Sequence, residues 1–245
     1  MHPIDPGDAW LRRTAMVALV ATVCGCRSNP SNALQRTIAS IPPGAPDAQA
    51  STETSPPDTG PLASNAPASD QANSPSVSRA IEHVLQQASD HPRAAVLDFS
   101  ASSSTPRFHV IDRASGQVLQ SFRVAHGHGS EGKRDDGYAE VFSNVPGSNA
   151  SSLGLYRTGE TYRSDVYPGL SMRLDGLSPT NSNARSRFIV IHEAWYMDPE
   201  SWREKKMIRP GRSEGCFVFS KADRDAVISQ LQGGALIYAI YEKLR

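Results

Sequence analysis

A mostly β domain with a few flanking α-helices is the architecture predicted for residues 77–245 of this chain. Short runs rich in Val, Ile and Phe recur down the stretch, bounded by Gly, Pro, Asn and Ser. Helical spacing is confined to two segments, one near each end. From Pro92 onward the chain is also the size of one ordinary domain with its own core, about 150 residues.

The first helix is expected from Val77, where Val77, Ile81, Val84, Leu85 and Ala88 repeat at helical spacing and Ser76 or Ser78 offers a cap. Asp90, His91 and Pro92 stop it. The period then changes. AAVLDF, RFHVIDR and QVLQSFRVAH read as strands, and Ala114, Ser115 and Gly116 form a tight turn between the second and third, which makes a β-meander. Further strands are expected at LSMRL, RFIVIH, CFVF and ALIYAIY. Between the last two, KADRDAVISQLQ sets Val227, Ile228 and Leu231 on one face of an amphipathic helix, ended by Gly233 and Gly234.

Two segments of different character precede the domain. Arg12 and Arg13 lead into TAMVALVATVCG, an apolar run with the length of an export-signal core, too short to span a bilayer comfortably. It closes on VCGC, which resembles a bacterial lipoprotein signal with Cys26 as the lipidated residue; Cys24 is unusual in that pattern. Ordinary cleavage nearby, or an uncleaved anchor, are the alternatives. Residues 1–26 are therefore read as a signal peptide with a lipobox. Residues 27–76 are dominated by Ser, Pro, Ala, Asn and Thr and bury too little apolar surface to offset ordering entropy, so a disordered tether is expected. About fifty such residues reach several tens of ångströms as a coil. This reading places the protein on the periplasmic side of a bacterial membrane, held by a lipid anchor.

Lys plus Arg and Asp plus Glu both number 25, with no basic block and no aromatic residues interleaved with cations. Nucleic acid is a poor partner for such a chain. CxxC pairs, HExxH, EF-hand loops and glycine-rich phosphate loops are absent, so zinc-protease, calcium and nucleotide readings have no motif to rest on, and no obligate protein partner is evident. His126 and His128 share a strand face but have no third ligand nearby in sequence.

Nucleophilic chemistry has a physical warrant. Once a signal ending near Cys26 is removed, Cys216 in GRSEGCFVF is a lone thiol in an oxidising compartment. A catalytic cysteine needs an imidazole to hold it as thiolate or take its proton, and such pairing implies a thiol that ionises below its ordinary range. His192 ends the apolar strand RFIVIH, and CFVF beside it would bring the two strand ends together. Gly211 and Gly215 permit a bend that exposes the sulfur and aims the Gly215 and Cys216 amides at an oxyanion. A free cysteine that is simply a small buried hydrophobe is the competing reading.

VAHGHGS, FSNVPGSNASSLGLYRTGETY, SMRLDGL, NARSRFIVIHEAWY and GRSEGC together resemble the murein L,D-transpeptidase catalytic domain family, a branch related to the YkuD-like enzymes. The resemblance runs from about Val77 to Arg245. It implies a β-rich fold, Cys216 as nucleophile, His192 as its partner, peptidoglycan stem peptides as substrate, and neither metal nor organic cofactor. The implied reaction is cross-link formation through a thioester; an L,D-carboxypeptidase or a non-catalytic peptidoglycan-binding lipoprotein are the alternatives. By motif position, Arg212 is a candidate for binding a substrate carboxylate, Ser213 for orienting His192, and Tyr196 and His126 for touching substrate, with Asn149 to Ser152 along the cleft. The chain departs from the family pattern around these residues: Glu193 and Phe217 stand where glycine and proline are usual, Val218 and Phe219 where alanine and leucine are, and Glu214 occupies the position of a second histidine.

Overall fold

The structure, a computed structural model, describes residues 70–242 except 135 and 208. The expected signal segment, Cys26 and nearly all of the tether lie outside the described residues. Among the described residues no helix is long and apolar enough to cross a membrane.

Helix α1 (Pro75–Gln86) buries Val77, Ala80 and Val84. Its cap is Ser74, whose Oγ accepts the Val77 N–H at 3.3 Å, two residues ahead of the nearer expected serine. Pro75 accounts for the shift. Its fixed φ suits the first helical position, where a missing N–H costs nothing.

Strands β1 (Arg93–Asp98), β2 (Phe108–Asp112) and β3 (Val118–Phe122) form the expected antiparallel meander. Gly116 turns the chain with φ +73°, donating its N–H to Asp112 O. Then come β4 (Gly154–Arg163), β5 (Leu170–Gly176), β6 (Val190–Glu193), α2 (Pro199–Glu204), β7 (Phe217–Phe219), α3 (Lys221–Leu231) and β8 (Leu236–Ile240). These strands make one sheet in the order β3-β2-β1-β8-β4-β5-β6-β7. The final strand is inserted at its middle, parallel to β1 and antiparallel to β4. Beyond β3 the chain continues to the opposite edge, where the Ala125 N–H donates to Val218 O at 2.9 Å and Gly127 bridges to Ser213. The sheet thus nearly closes on itself, which satisfies the edge strands internally.

The longest strand, β4, is the element the apolar pattern does not announce. GLYRTGETYR carries two glycines and several polar residues, and its pairing with β5 slips at a bulge between Thr158 and Thr161. Partners on both sides, β8 and β5, supply the hydrogen bonds that its own propensity does not.

Closure matters to the site because it fixes β7. Phe217, Val218 and Phe219 are all fully buried. Phe219 meets Phe108 edge to face at 5.2 Å, and Phe217 meets Tyr156 in the same way, also at 5.2 Å. Each buried phenylalanine contributes about 1.5–3 kcal/mol. Phe217 therefore puts a core anchor immediately after Cys216, where the family pattern has a turn-stiffening proline.

Candidate active site

Strand β6 pairs with β7 in parallel, with Ile191 opposite Phe217 and His192 opposite Val218. Successive strand residues face opposite sides. Ile191, Phe217 and Phe219 accordingly enter the main core, while Val190, Cys216 and Val218 belong to a second apolar cluster with Ala125 and Met197. His192 alternates with Ile191, so its side chain shares the second face. Cys216 precedes β7 by one residue and lies two positions from Val218 on that face. The strand pairing thus puts the imidazole and the thiol on one face of the sheet, the imidazole two positions along from the residue opposite Cys216.

His192 Nδ1 lies 2.9 Å from the carbonyl oxygen of Glu193. A carbonyl only accepts, so Nδ1 carries the proton and Nε2 keeps a lone pair. The imidazole is 4 % exposed. Burial lowers its pKa to about 4, opposed by the Glu193 carbonyl and assisted by the Arg224 cation. Tyr167 stacks on the ring with centroids 3.7 Å apart and planes 18° from parallel.

Cys216 is the free cysteine among the described residues and is 5 % exposed. Its sulfur sits 3.5 Å from Phe188 O, which accepts the S–H, and the nearby Val190 amide and Tyr167 hydroxyl favour the thiolate. Burial nevertheless pushes the thiol up to about 11, because desolvating a thiolate outweighs those donors. The expected depressed thiol is not found: at rest both the thiol and the imidazole are neutral. Phe188 holds its carbonyl there from a left-handed backbone, φ +56°, an uncommon conformation for a bulky residue.

A cleft of about 600 Å³ opens on Cys216, walled by Asn149, Tyr162, Tyr167, Arg173, Arg187, Phe188 and Glu214 among others. Glu214, at the position of the second histidine in the family pattern, therefore places a carboxylate at the mouth.

The remaining candidates are distributed differently from expectation. Ser213 does not orient His192. Its hydroxyl donates to Cys216 O at 2.8 Å and accepts the Gly215 N–H at 3.1 Å, closing the turn that presents Cys216. Gly215, at φ +110°, needs its glycine, and its amide, expected to face an oxyanion, is instead committed to Ser213. Arg212 forms an ion pair with Glu131 and lines a separate basic hollow with His128, Lys206 and Arg209. His126 is fully buried behind the turn that carries Cys216. It accepts from Arg107 at Nδ1, and its carbonyl receives the Ser213 N–H, so it braces that turn and does not line the cleft. Burial, with Arg107, Arg209 and Arg212 nearby, lowers it to about 2. Tyr196 packs against the Cys216 cluster, and burial raises its pKa. Of the Asn149 to Ser152 loop, Asn149 reaches the cleft, whereas Ser151 and Ser152 are buried.

With this geometry in view, a family profile described as the L,D-transpeptidase catalytic domain matches residues 68–240. The chain belongs to the L,D-transpeptidase catalytic domain family. Among solved structures, it is similar to an L,D-transpeptidase from Stackebrandtia nassauensis at 14 % identity and a TM-score of 0.35, covering 63 % of this chain and 58 % of that one. An L,D-transpeptidase from Mycobacterium smegmatis gives 12 % and 0.37, covering 61 % and 58 %. The helical cell shape determining protein Pgp2 from Campylobacter jejuni gives 10 % and 0.40, covering 67 % and 56 %. The chain spans less than two thirds of the length of each of these structures. Comparison with curated protein sequences gives no match.

Reading the sequence alone misses three side chains at the site: Tyr167, Arg187 and Arg224. Arg187 donates to Ser143 O and Ala150 O, pinning one cleft wall beside the thiol. It sits in the motif NARSRFIVIH, five residues before His192, where its motif position was the available signal. Tyr167 and Arg224 lie 25 and 32 residues away in sequence, and only folding gathers them.

Proposed function

We propose that this domain is a cysteine L,D-transpeptidase that cross-links peptidoglycan stem peptides through a thioester. The observation that supports this reading best is the geometry of His192, whose Nδ1–H is tied to Glu193 O, leaving Nε2 free to accept on the sheet face that carries Cys216. Nε2 takes the thiol proton as the sulfur adds to a stem-peptide carbonyl, and the Cys216 amide receives the oxyanion. Collapse expels a terminal D-amino acid, whose amine leaves with the proton from the imidazolium, and a thioester remains. An amine on a neighbouring stem then attacks the thioester, its proton passing to His192 and from there to the leaving sulfur. Water in place of the amine would make the same domain a carboxypeptidase.

Both neutral partners suit this sequence of steps, because proton transfer accompanies attack and no thiolate is stored. Incubating the protein with a stem tetrapeptide and weighing the products by mass spectrometry separates cross-linking from hydrolysis. Cys216→Ala is expected to stay folded and yield no product; full turnover by that variant would end the proposal.

We further propose that the chain is exported and anchored through Cys26. Cys26→Ser should then leave the membrane fraction on cell fractionation, whereas equal membrane recovery of both chains would count against lipidation there.

A further inference from the structure

Arg224, on the first turns of α3, is almost completely buried, yet it faces the sheet next to the site and no step of the reaction employs it. Its Nη2 donates to Glu193 Oε2, and its Nη1 donates to Leu170 O, with Pro168 O at 3.5 Å. Nε lies 2.8 Å from Asp225 Oδ1 at an angle too poor for a hydrogen bond. Gly169 completes the nest. With φ +72°, it lets the loop pass so closely that a Cβ there would stand 2.7 Å from Nη2.

These acceptors have one thing in common. Glu193 supplies the backbone carbonyl that holds His192 Nδ1. Pro168 follows Tyr167, the residue stacked on the same imidazole. One planar guanidinium therefore reaches both supports of the ring, a task its rigid fork of donors suits and a flexible ammonium does not. A glutamate at 193 would otherwise be a carboxylate beside a buried base with nothing to neutralise it. We propose that Arg224 is a positioning residue that, through Glu193 and the segment bearing Tyr167, holds His192 in the orientation and tautomer the reaction needs. This rests on the catalytic reading of His192 given above.

The test uses the full chain labelled with ¹⁵N-histidine, its His192 signals assigned by their loss in His192→Gln. Long-range ¹H–¹⁵N spectra report the imidazole tautomer without substrate, and stem-peptide acylation is followed in parallel. The parent should show the Nδ1–H tautomer. Arg224→Met and Glu193→Ala should each give a mixture of tautomers and acylate about 10- to 100-fold more slowly at unchanged KM, the size expected when a general base is misplaced. Glu193→Gln, which can still accept from Arg224, should recover the Nδ1–H form. A folded Glu193→Ala that keeps the parental tautomer and rate overturns the proposal, and it decides the matter even if Arg224→Met fails to fold. Should the parent acylate nothing, the catalytic reading fails, while the tautomer in each variant still tells whether the pair positions the ring.

Discussion

Cys216 and His192 illustrate how burial can reverse the simplest reading of a Cys/His pair. An exposed pair exchanges its proton to form thiolate and imidazolium; here burial lowers the base to about 4 and lifts the thiol to about 11. The neutral imidazole persists until pH falls through its own depressed pKa, so the acid limb of kcat/KM should lie near 4, well below the ordinary histidine value of about 6.5. An acid limb near 6.5 in a pH–rate profile would show that the ring is hydrated in solution. The thiol, for its part, should alkylate slowly with iodoacetamide at neutral pH and faster only as pH approaches 11. His192→Gln keeps a hydrogen-bonding side chain but cannot accept the proton, so single-turnover acylation should fall by roughly 10²–10⁴-fold.

The turn that carries Cys216, residues 209–216, has little regular structure of its own and is held by its neighbours. Ser213 donates its amide to His126 O and lends its carbonyl to the His128 amide, and Gly127 bridges beside it. Gly127 has an ordinary φ, but a Cβ there would meet Asn149 O at 2.2 Å and Gly215 N at 2.8 Å. Backbone cannot move aside as a side-chain tip can. Gly127→Ala should therefore cost about 1–3 kcal/mol or more in denaturant unfolding and should lower acylation as well, since the displaced turn carries Gly215. Helix α1 offers a contrasting case. A chain begun at Ser76 loses the Ser74 cap and Pro75, and should unfold about 1 kcal/mol more easily than one begun at Asp70, with unchanged kcat.

Considered as a single sheet, the domain traps three imidazoles in neutral form. Burial lowers His109 and His192 to about 4, and burial with surrounding arginines takes His126 to about 2. In the unfolded chain each would protonate near 6.5. Their contribution is complete above that value and is lost progressively as pH falls from 6.5 through 4, where the unfolded state binds protons the fold refuses. Each costs about 1.4 kcal/mol per pH unit in that window. Thermal melts should accordingly show a Tm that falls steeply below pH 6. His109→Gln, distant from the chemistry and paired with Ser121, should flatten the decline. A slope unaltered by that change would mean His109 protonates within the fold.

Much of this was legible in order along the chain. Runs such as AAVLDF, RFIVIH and CFVF announce buried strands because apolar and β-branched residues have few other stable settings, and Cys216 and His192 stand out by their position at the ends of two of them. The meander turn at Gly116 and the helix before Gly233 follow equally from local chemistry. Strand β4 did not, because its polar, glycine-containing sequence becomes a strand only between β8 and β5. Nor could the sequence give the ionisation of the thiol, which depends on the desolvation that surrounding elements impose. Tyr167 and Arg224 entered the site through long-range packing, and Ser213, adjacent to the motif, proved to serve the turn rather than the base. Local pattern records what a segment prefers; which side chains share a buried volume, and therefore which protons are held or released, is decided when distant segments exclude water together.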